Sequence, residues 1–183
     1  MSREVVENTA AEQAAQLFCP GAAGSAWFVL HARPRCEKKV AKTCLDLQIH
    51  HYLPLHKSVS RKGKRRYSFE VPLFPGYLFG RCDAQERLDI LRSGYLVRTI
   101  EVKDQRRLLD ELGNIYLASC GEVELSSYPQ LKRGQLVEVL RGPLAGVTGR
   151  ISKRKEGFRL VLNVSILGTA VAAEMDMEDV EAI

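Results

Sequence analysis

The sequence predicts an α+β fold in two parts. An N-terminal α/β sandwich, with an antiparallel sheet and helices mainly on one face, is joined by a linker to a small C-terminal β-barrel. Three observations predict it. Up to Leu117, short apolar segments of strand period alternate with segments of helical period. Cys120–Lys132 then carries acids, serines and Pro129 with no periodicity. After Gly134, about five short strand-like runs follow, separated by Gly-Pro, Glu-Gly and Leu-Gly turns. The expected boundaries are an arm at 1–25, the sandwich at 26–117, the linker at 118–132 and the barrel at 133–183.

The elements follow in order. Residues 1–25 are rich in Ala, Glu and Gln and end in Pro20-Gly21-Ala22-Ala23-Gly24-Ser25, which reads as a loose arm with a frayed helix at Ala10–Leu17. Ala26–Ala32 has no breaker and reads as a strand. Pro34 suits the first turn of a helix reaching Leu47, with Cys36, Val40, Cys44 and Leu47 on one stripe. His50–Ser58 reads as a strand, residues 60–66 as a basic hairpin tip, and Tyr67–Val71 as the returning strand. Tyr77–Cys82 is another strand. Asp83-x-x-Glu86 opens a short helix as a capping box, and Gly94 stops it. Tyr95–Val102 is a strand, and Asp104 caps a helix carrying Leu108, Leu112 and Ile115. In the barrel, strands are expected at Leu136–Leu140, Gly146–Lys153, Phe158–Val164 and Thr169–Glu174.

Composition narrows the function classes. The chain of 183 residues is 45% hydrophobic and 27% charged, which argues against wholesale disorder. No apolar run approaches the roughly 20 residues of a membrane span, and Met1–Gln16 lacks the apolar core of a secretory signal, so a cytoplasmic location is expected. Cys19, Cys36, Cys44, Cys82 and Cys120 are odd in number and without a C-x-x-C pair, so reduced thiols are expected rather than a disulfide framework or zinc. The charge is uneven. Trp27–Leu117 holds 18 Lys+Arg against 10 Asp+Glu, whereas Gln130–Ile183 holds 8 against 7. The first part therefore suits a polyanion, although a solvated basic surface gives the same count.

No Ser/His/Asp set, paired carboxylates or phosphate loop is recognisable, so no enzyme and no cofactor are expected. His50, His51 and His56 lack a Cys or carboxylate at ligand spacing, and adjacent residues on a strand face opposite sides, so no metal site is expected. Two basic clusters stand out: Arg33, Arg35, Lys38, Lys39 and Lys42 around the first helix, and Arg61, Lys62, Lys64, Arg65 and Arg66 at the hairpin tip. In Leu73-Phe74-Pro75-Gly76-Tyr77-Leu78-Phe79, Pro75 removes a donor and Gly76 permits positive φ, so the backbone turns sharply between two aromatics. Phe74 and Tyr77 are either core residues or anchors of an interface.

Trp27-Phe28-Val29-Leu30, the helix after Pro34, Tyr52-Leu53-Pro54-Leu55, the segment from Val71 to Phe79 and Gly94-Tyr95-Leu96-Val97 fall in the order of an N-terminal domain of the NusG family of transcription elongation factors, which the chain resembles. Gly134–Ile183, with Gly142-Pro143-Leu144-Ala145-Gly146 and Val164-Ser165-Ile166-Leu167-Gly168, is similar to that family's KOW domain, an SH3-like barrel. The resemblance implies a monomeric factor whose N-terminal domain docks on the β′ clamp helices of bacterial RNA polymerase and bridges to the β subunit, suppressing pausing or termination. By position, Leu53, Leu55, Phe74 and Tyr77 would dock on polymerase. The basic clusters would approach upstream or non-template DNA, with His31 adding a base contact. Ser165, Ile166, Leu167 and Gly168 would bind a ribosomal small-subunit protein or the termination factor Rho.

Leu167 stands where housekeeping members have Phe, which keeps an apolar contact but weakens the case for Rho. The segment from Leu53 to Phe79 is closer in phrasing to specialised, operon-specific antiterminators of the RfaH kind, though Asp83–Arg92 replaces their His-Thr segment. Gly142, Pro143, Gly146, Gly149 and Gly157 oppose the helical alternative known in that branch. The rival readings are a housekeeping factor cooperating with Rho and a ribosome-associated, RNA-binding KOW protein. A linker of about a dozen residues would hold the second partner at millimolar effective concentration near polymerase.

Overall fold

The computed structural model describes Leu17, Cys19 and residues 24–62, 65–120, 126–129, 134–154, 157–175 and 179–182. The helix expected at Ala10–Leu17 lies outside these residues apart from Leu17, which is helical and buried.

Four strands, β1 (Ala26–Ala32), β2 (His50–Tyr52), β5 (Tyr77–Cys82) and β6 (Leu96–Glu101), form an antiparallel sheet in the order β2-β5-β1-β6. Side chains alternate across it, as strand geometry requires. Leu30 and Ala32 of β1 and Leu78 and Cys82 of β5 pack with Val40 and Cys44 of helix α1 (Glu37–Asp46) and Ile90 of helix α2 (Ala84–Arg92). Trp27, Val29 and Phe79 point to the other face, where Leu108, Leu112 and Ile115 of helix α3 (Gln105–Cys120) cover them. The helices therefore lie two on one face of the sheet and one on the other, mainly on one face as expected.

Local chemistry sets the boundaries. Asp83 and Glu86 form the expected reciprocal capping box of α2, and Gly94, at φ 75°, ends that helix. Asp104 caps α3 by accepting from the Arg107 amide at 3.0 Å. The side-chain amide of Gln105 pairs with both backbone groups of Trp27, at 2.8 and 2.9 Å, pinning the start of α3 to β1.

Several expectations shift. Helix α1 begins at Glu37, not near Pro34, because Arg35 occupies the left-handed region at φ 61° and turns the chain first. The strand expected over His50–Ser58 breaks at Leu53-Pro54. Pro54 has no donor for a ladder, and its carbonyl instead accepts from Leu73 at 2.8 Å. Beyond the break, β3 (Leu55–Lys62) and β4 (Arg65–Pro72) pair, among the described residues, only with each other as a long two-stranded ribbon.

The C-terminal part is one antiparallel sheet of six strands in the order β12-β8-β9-β10-β11-β7, of a size and connectivity that fit a small barrel. Its members are β7 (Ser126–Pro129), β8 (Leu136–Val139), β9 (Thr148–Arg154), β10 (Gly157–Val164), β11 (Thr169–Met175) and β12 (Val180–Ala182). Strand β7 lies inside the segment expected to be a linker and pairs with β11, and β12 adds a strand the sequence pattern did not show. At Gly149 an added Cβ would sit 2.8 Å from Leu162 and 3.0 Å from the Val161 carbonyl, so the barrel wall closes only over glycine there.

Helix α3 also meets the barrel. It packs on β10, and one continuous buried cluster runs from Trp27 and Phe79 through Leu108, Leu112 and Ile115 to Val147, Leu160 and Val171.

Cys44 and Cys82 are buried, and desolvation pushes both thiols up to about 12, whereas Cys19 and Cys120 are exposed. Iodoacetamide at pH 8 is expected to modify Cys19 and Cys120 in the native protein and to reach Cys44 and Cys82 only after denaturation. Peptide mass mapping checks this. Leu112→Ala, at a fully buried position of α3, is expected to cost about 2–5 kcal/mol of stability, read from urea unfolding.

Candidate functional site

Three surfaces carry the residues singled out by the sequence, and the structure treats them differently. The first is the Pro75-Gly76 turn. Tyr77 donates its amide to the Phe74 carbonyl at 3.0 Å, and Gly76 sits at φ 84°, the third position of a type II turn. The turn is tied down from two sides. Ala32 donates to the Gly76 carbonyl at 2.8 Å, and Gly76 donates to Glu37 Oε1 at 2.7 Å. Glu37 is a buried carboxylate in the first turn of α1, where the helix dipole favours negative charge. The same side chain thus fixes the helix that bears the basic cluster and the turn that bears the aromatics. Sequence reasoning missed it, since an acid at a helix start ordinarily faces water.

The four residues expected to dock on polymerase do not form one patch. Leu53 is buried and Leu55 half-buried in the cluster beneath α1 and α2. Phe74 is buried on the α3 side, edge-on to Phe79 at 6.3 Å between centroids. Tyr77 is half-buried and stacks on His31 at 4.8 Å. Phe74 thus serves as the hydrophobic footing of the turn, while Tyr77 and His31 reach its surface.

The second surface is basic. Arg33, Arg35, Lys38, Lys39 and Lys42 are all exposed, and among the described residues none forms an ion pair. Lys39 lies 5.2 Å from the Tyr95 ring centroid, and Lys38 Nζ donates to the Glu70 carbonyl on β4 at 2.9 Å. That contact brings the α1 cluster against the base of the β3–β4 ribbon. Arg66 lies four residues further along β4, roughly 14 Å away at strand rise. On the ribbon, Arg61 and Lys62 end β3 and Arg65 begins β4; Lys64 lies outside the described residues. The α1 cluster therefore touches the base of the ribbon whose far end carries the second cluster.

The third surface is the segment after β10. Ser165–Leu167 forms a single 3-10 turn closed by Gly168 at φ 63°. The Ser165 amide donates to Glu111 Oε2 at 2.9 Å, its hydroxyl bonds Glu111 Oε1, and Arg107 Nη2 donates to the same hydroxyl at 2.6 Å. Thr148 of β9 donates from its amide to Asn114 Oδ1 at 2.9 Å. Arg107, Glu111 and Asn114 recur at i, i+4 and i+7, so one stripe of α3 holds the barrel. Ile166 and Leu167 are half-buried against the shared core. In sequence such a polar stripe is indistinguishable from a solvated helix face, and no signal marked it.

His50, His51 and His56 are not gathered with other ligands. Among the described residues no group of three or more His, Cys, Asp or Glu side chains is placed to hold a metal ion. His51 is buried, bonds the Ile49 carbonyl at 3.1 Å, and has its pKa lowered chiefly by desolvation. No helix of the described residues is long and apolar enough to cross a membrane.

These features describe a basic α/β sandwich with an attached barrel. Residues 25–108 match the family described as "Transcription termination factor nusG". Over those residues the chain is similar to the NusG family of transcription factors. Among solved structures, one described as "Domain interaction in Thermotoga maritima NusG" is similar at 21% identity and a TM-score of 0.47, over 89% of this chain and 99% of that one. No curated protein matches the chain.

Removing the Glu37 carboxylate leaves the Gly76 amide unpaired in a half-buried site. Glu37→Ala is expected to cost about 1–3 kcal/mol, and Gly76→Ala about 1–2 kcal/mol because a side chain is strained at that φ. Both are read from thermal unfolding of the full chain.

Proposed function

We propose that this protein is a transcription elongation factor that binds RNA polymerase through residues 26–117 and suppresses pausing or termination, in the manner of an operon-specific antiterminator. The observation that carries this reading is the family match, which spans both the Phe74–Tyr77 turn and the basic α1 face. Docking on the β′ clamp helices and the β subunit uses the half-exposed Tyr77 and Leu55, with Phe74 and Leu53 holding them from beneath. The basic face of α1 and the ribbon tip run along upstream or non-template DNA, with affinity that falls as salt rises. The barrel, residues 133–183, recruits a ribosomal small-subunit protein through Ser165–Gly168.

That last surface is engaged by Glu111 and Arg107 in this conformation. Capture of a barrel partner therefore requires the turn to leave α3. The polar part of the contact amounts to a few kcal/mol net. A barrel partner has to outcompete both these hydrogen bonds and the apolar packing of Ile166 and Leu167 against the shared core.

Single-round transcription by bacterial RNA polymerase, across pause sites and a Rho-dependent terminator, tests the reading. Shortened pauses and increased read-through are expected. Increased termination with Rho would instead favour a housekeeping role. Tyr77→Ala with Leu55→Ala is expected to weaken polymerase binding at least tenfold, by loss of about 1.4 kcal/mol or more at an interface anchor. A double variant that titrates polymerase like wild type would remove these residues from the dock.

A further inference from the structure

The β3–β4 ribbon carries two large apolar side chains that the rest of the described chain leaves uncovered. Tyr67 is 49% exposed and Phe69 46%. They stand two residues apart on β4 and so share one face of the ribbon. Their cross-strand partners are Ser60 and Ser58, too small to cover a ring. The ribbon pairs with no other strand among the described residues. Its composition identifies the complementary surface. Between His56 and Phe69 the sequence holds six Lys+Arg and no Asp or Glu. A ligand for this ribbon must present dense negative charge and flat apolar faces within the same few ångströms.

We propose that Tyr67 and Phe69 form a stacking platform for the bases of a single-stranded nucleic acid whose phosphates lie along the ribbon's cations. Strand rise spaces the two residues by about 7 Å, roughly twice the stacking distance of bases, so successive unstacked bases meet successive rings. A duplex does not satisfy the site, because its base faces are closed within the stack. Every base has a π-face, so the platform reads strandedness rather than sequence. The proposal deepens the nucleic-acid half of the proposed function and rests on the basic tip contacting phosphates.

The test uses the full-length protein and fluorescence anisotropy with labelled oligothymidylate, oligouridylate and a DNA duplex of equal length. Three variants accompany wild type: Tyr67→Ser with Phe69→Ser, Tyr67→Trp with Phe69→Trp, and Lys62→Gln with Arg65→Gln. Tyr67 and Phe69 lie outside both buried clusters, and unchanged thermal midpoints confirm folding of every variant. Wild type is expected to prefer single strands to duplex. The Ser variant should lose at least about tenfold in single-strand affinity with an unchanged salt slope, the Trp variant should retain it, and the Gln variant should flatten the salt slope on all probes. The relative affinities for oligothymidylate and oligouridylate then assign the strand as DNA or RNA.

A Ser variant that binds single strands like wild type, while the Gln variant is weakened, overturns the platform and leaves the phosphate contact standing. Absence of all nucleic-acid binding overturns both. Loss of RNA polymerase binding by the Ser variant, with single-strand affinity intact, assigns the aromatic face to a protein instead.

Discussion

Helix α3 is buried from two sides, and both halves of the molecule depend on it. Its apolar stripe, Leu108, Leu112 and Ile115, closes the open face of the N-terminal sheet. Its polar stripe, Arg107, Glu111 and Asn114, binds the barrel through Ser165 and Thr148. A helix with a single apolar face would leave the barrel free on its tether. The second, hydrogen-bonded face gives the contact with the barrel specific partners. Separating the halves exposes polar groups that water can satisfy, but it also opens the apolar cluster that runs from Leu108, Leu112 and Ile115 to Val147, Leu160 and Val171.

On the other side of the sheet, a buried carboxylate plays a comparable part. Glu37 joins the start of α1 to the Pro75-Gly76 turn, while Lys38, the next residue, reaches the Glu70 carbonyl on the ribbon. Two consecutive residues therefore fix the relative positions of the turn, the basic helix and the projecting hairpin. The hydrophobic footing of the turn lies beneath, in Phe74 and Phe79. The buried groups set the shape of this region, and Tyr77, Lys39 and Lys42 reach its surface.

Much of this was legible in the sequence where local chemistry decides the outcome. The Asp83–Glu86 capping box, the Asp104 cap, the Gly94 stop and the Pro75-Gly76 turn each depend on a few neighbouring residues. The mixed α+β class followed from periodicity. What escaped depends on partners distant in the chain. Arg35 adopts a left-handed conformation that no local signal requires. Ser126–Pro129 looked like linker because its strand exists only by pairing with β11. Leu53, Leu55, Phe74 and Tyr77 were grouped by position along the chain, whereas strand alternation and the Pro54 break send them to separate clusters. The polar stripe of α3 could not be told from a solvated face until the barrel lay against it.

The central claim is that α3 holds the barrel through Ser165 and Thr148 and so covers the turn at Ser165–Gly168. Hydrogen exchange at those two amides, measured by NMR in wild type and in Glu111→Ala with Asn114→Ala, tests it most directly. Both amides donate to side chains of α3. The account predicts slow exchange at both in wild type and fast exchange in the double variant, with amides of β10 protected in each. Equally fast exchange in the two proteins would contradict it and leave the barrel unattached to α3 in solution.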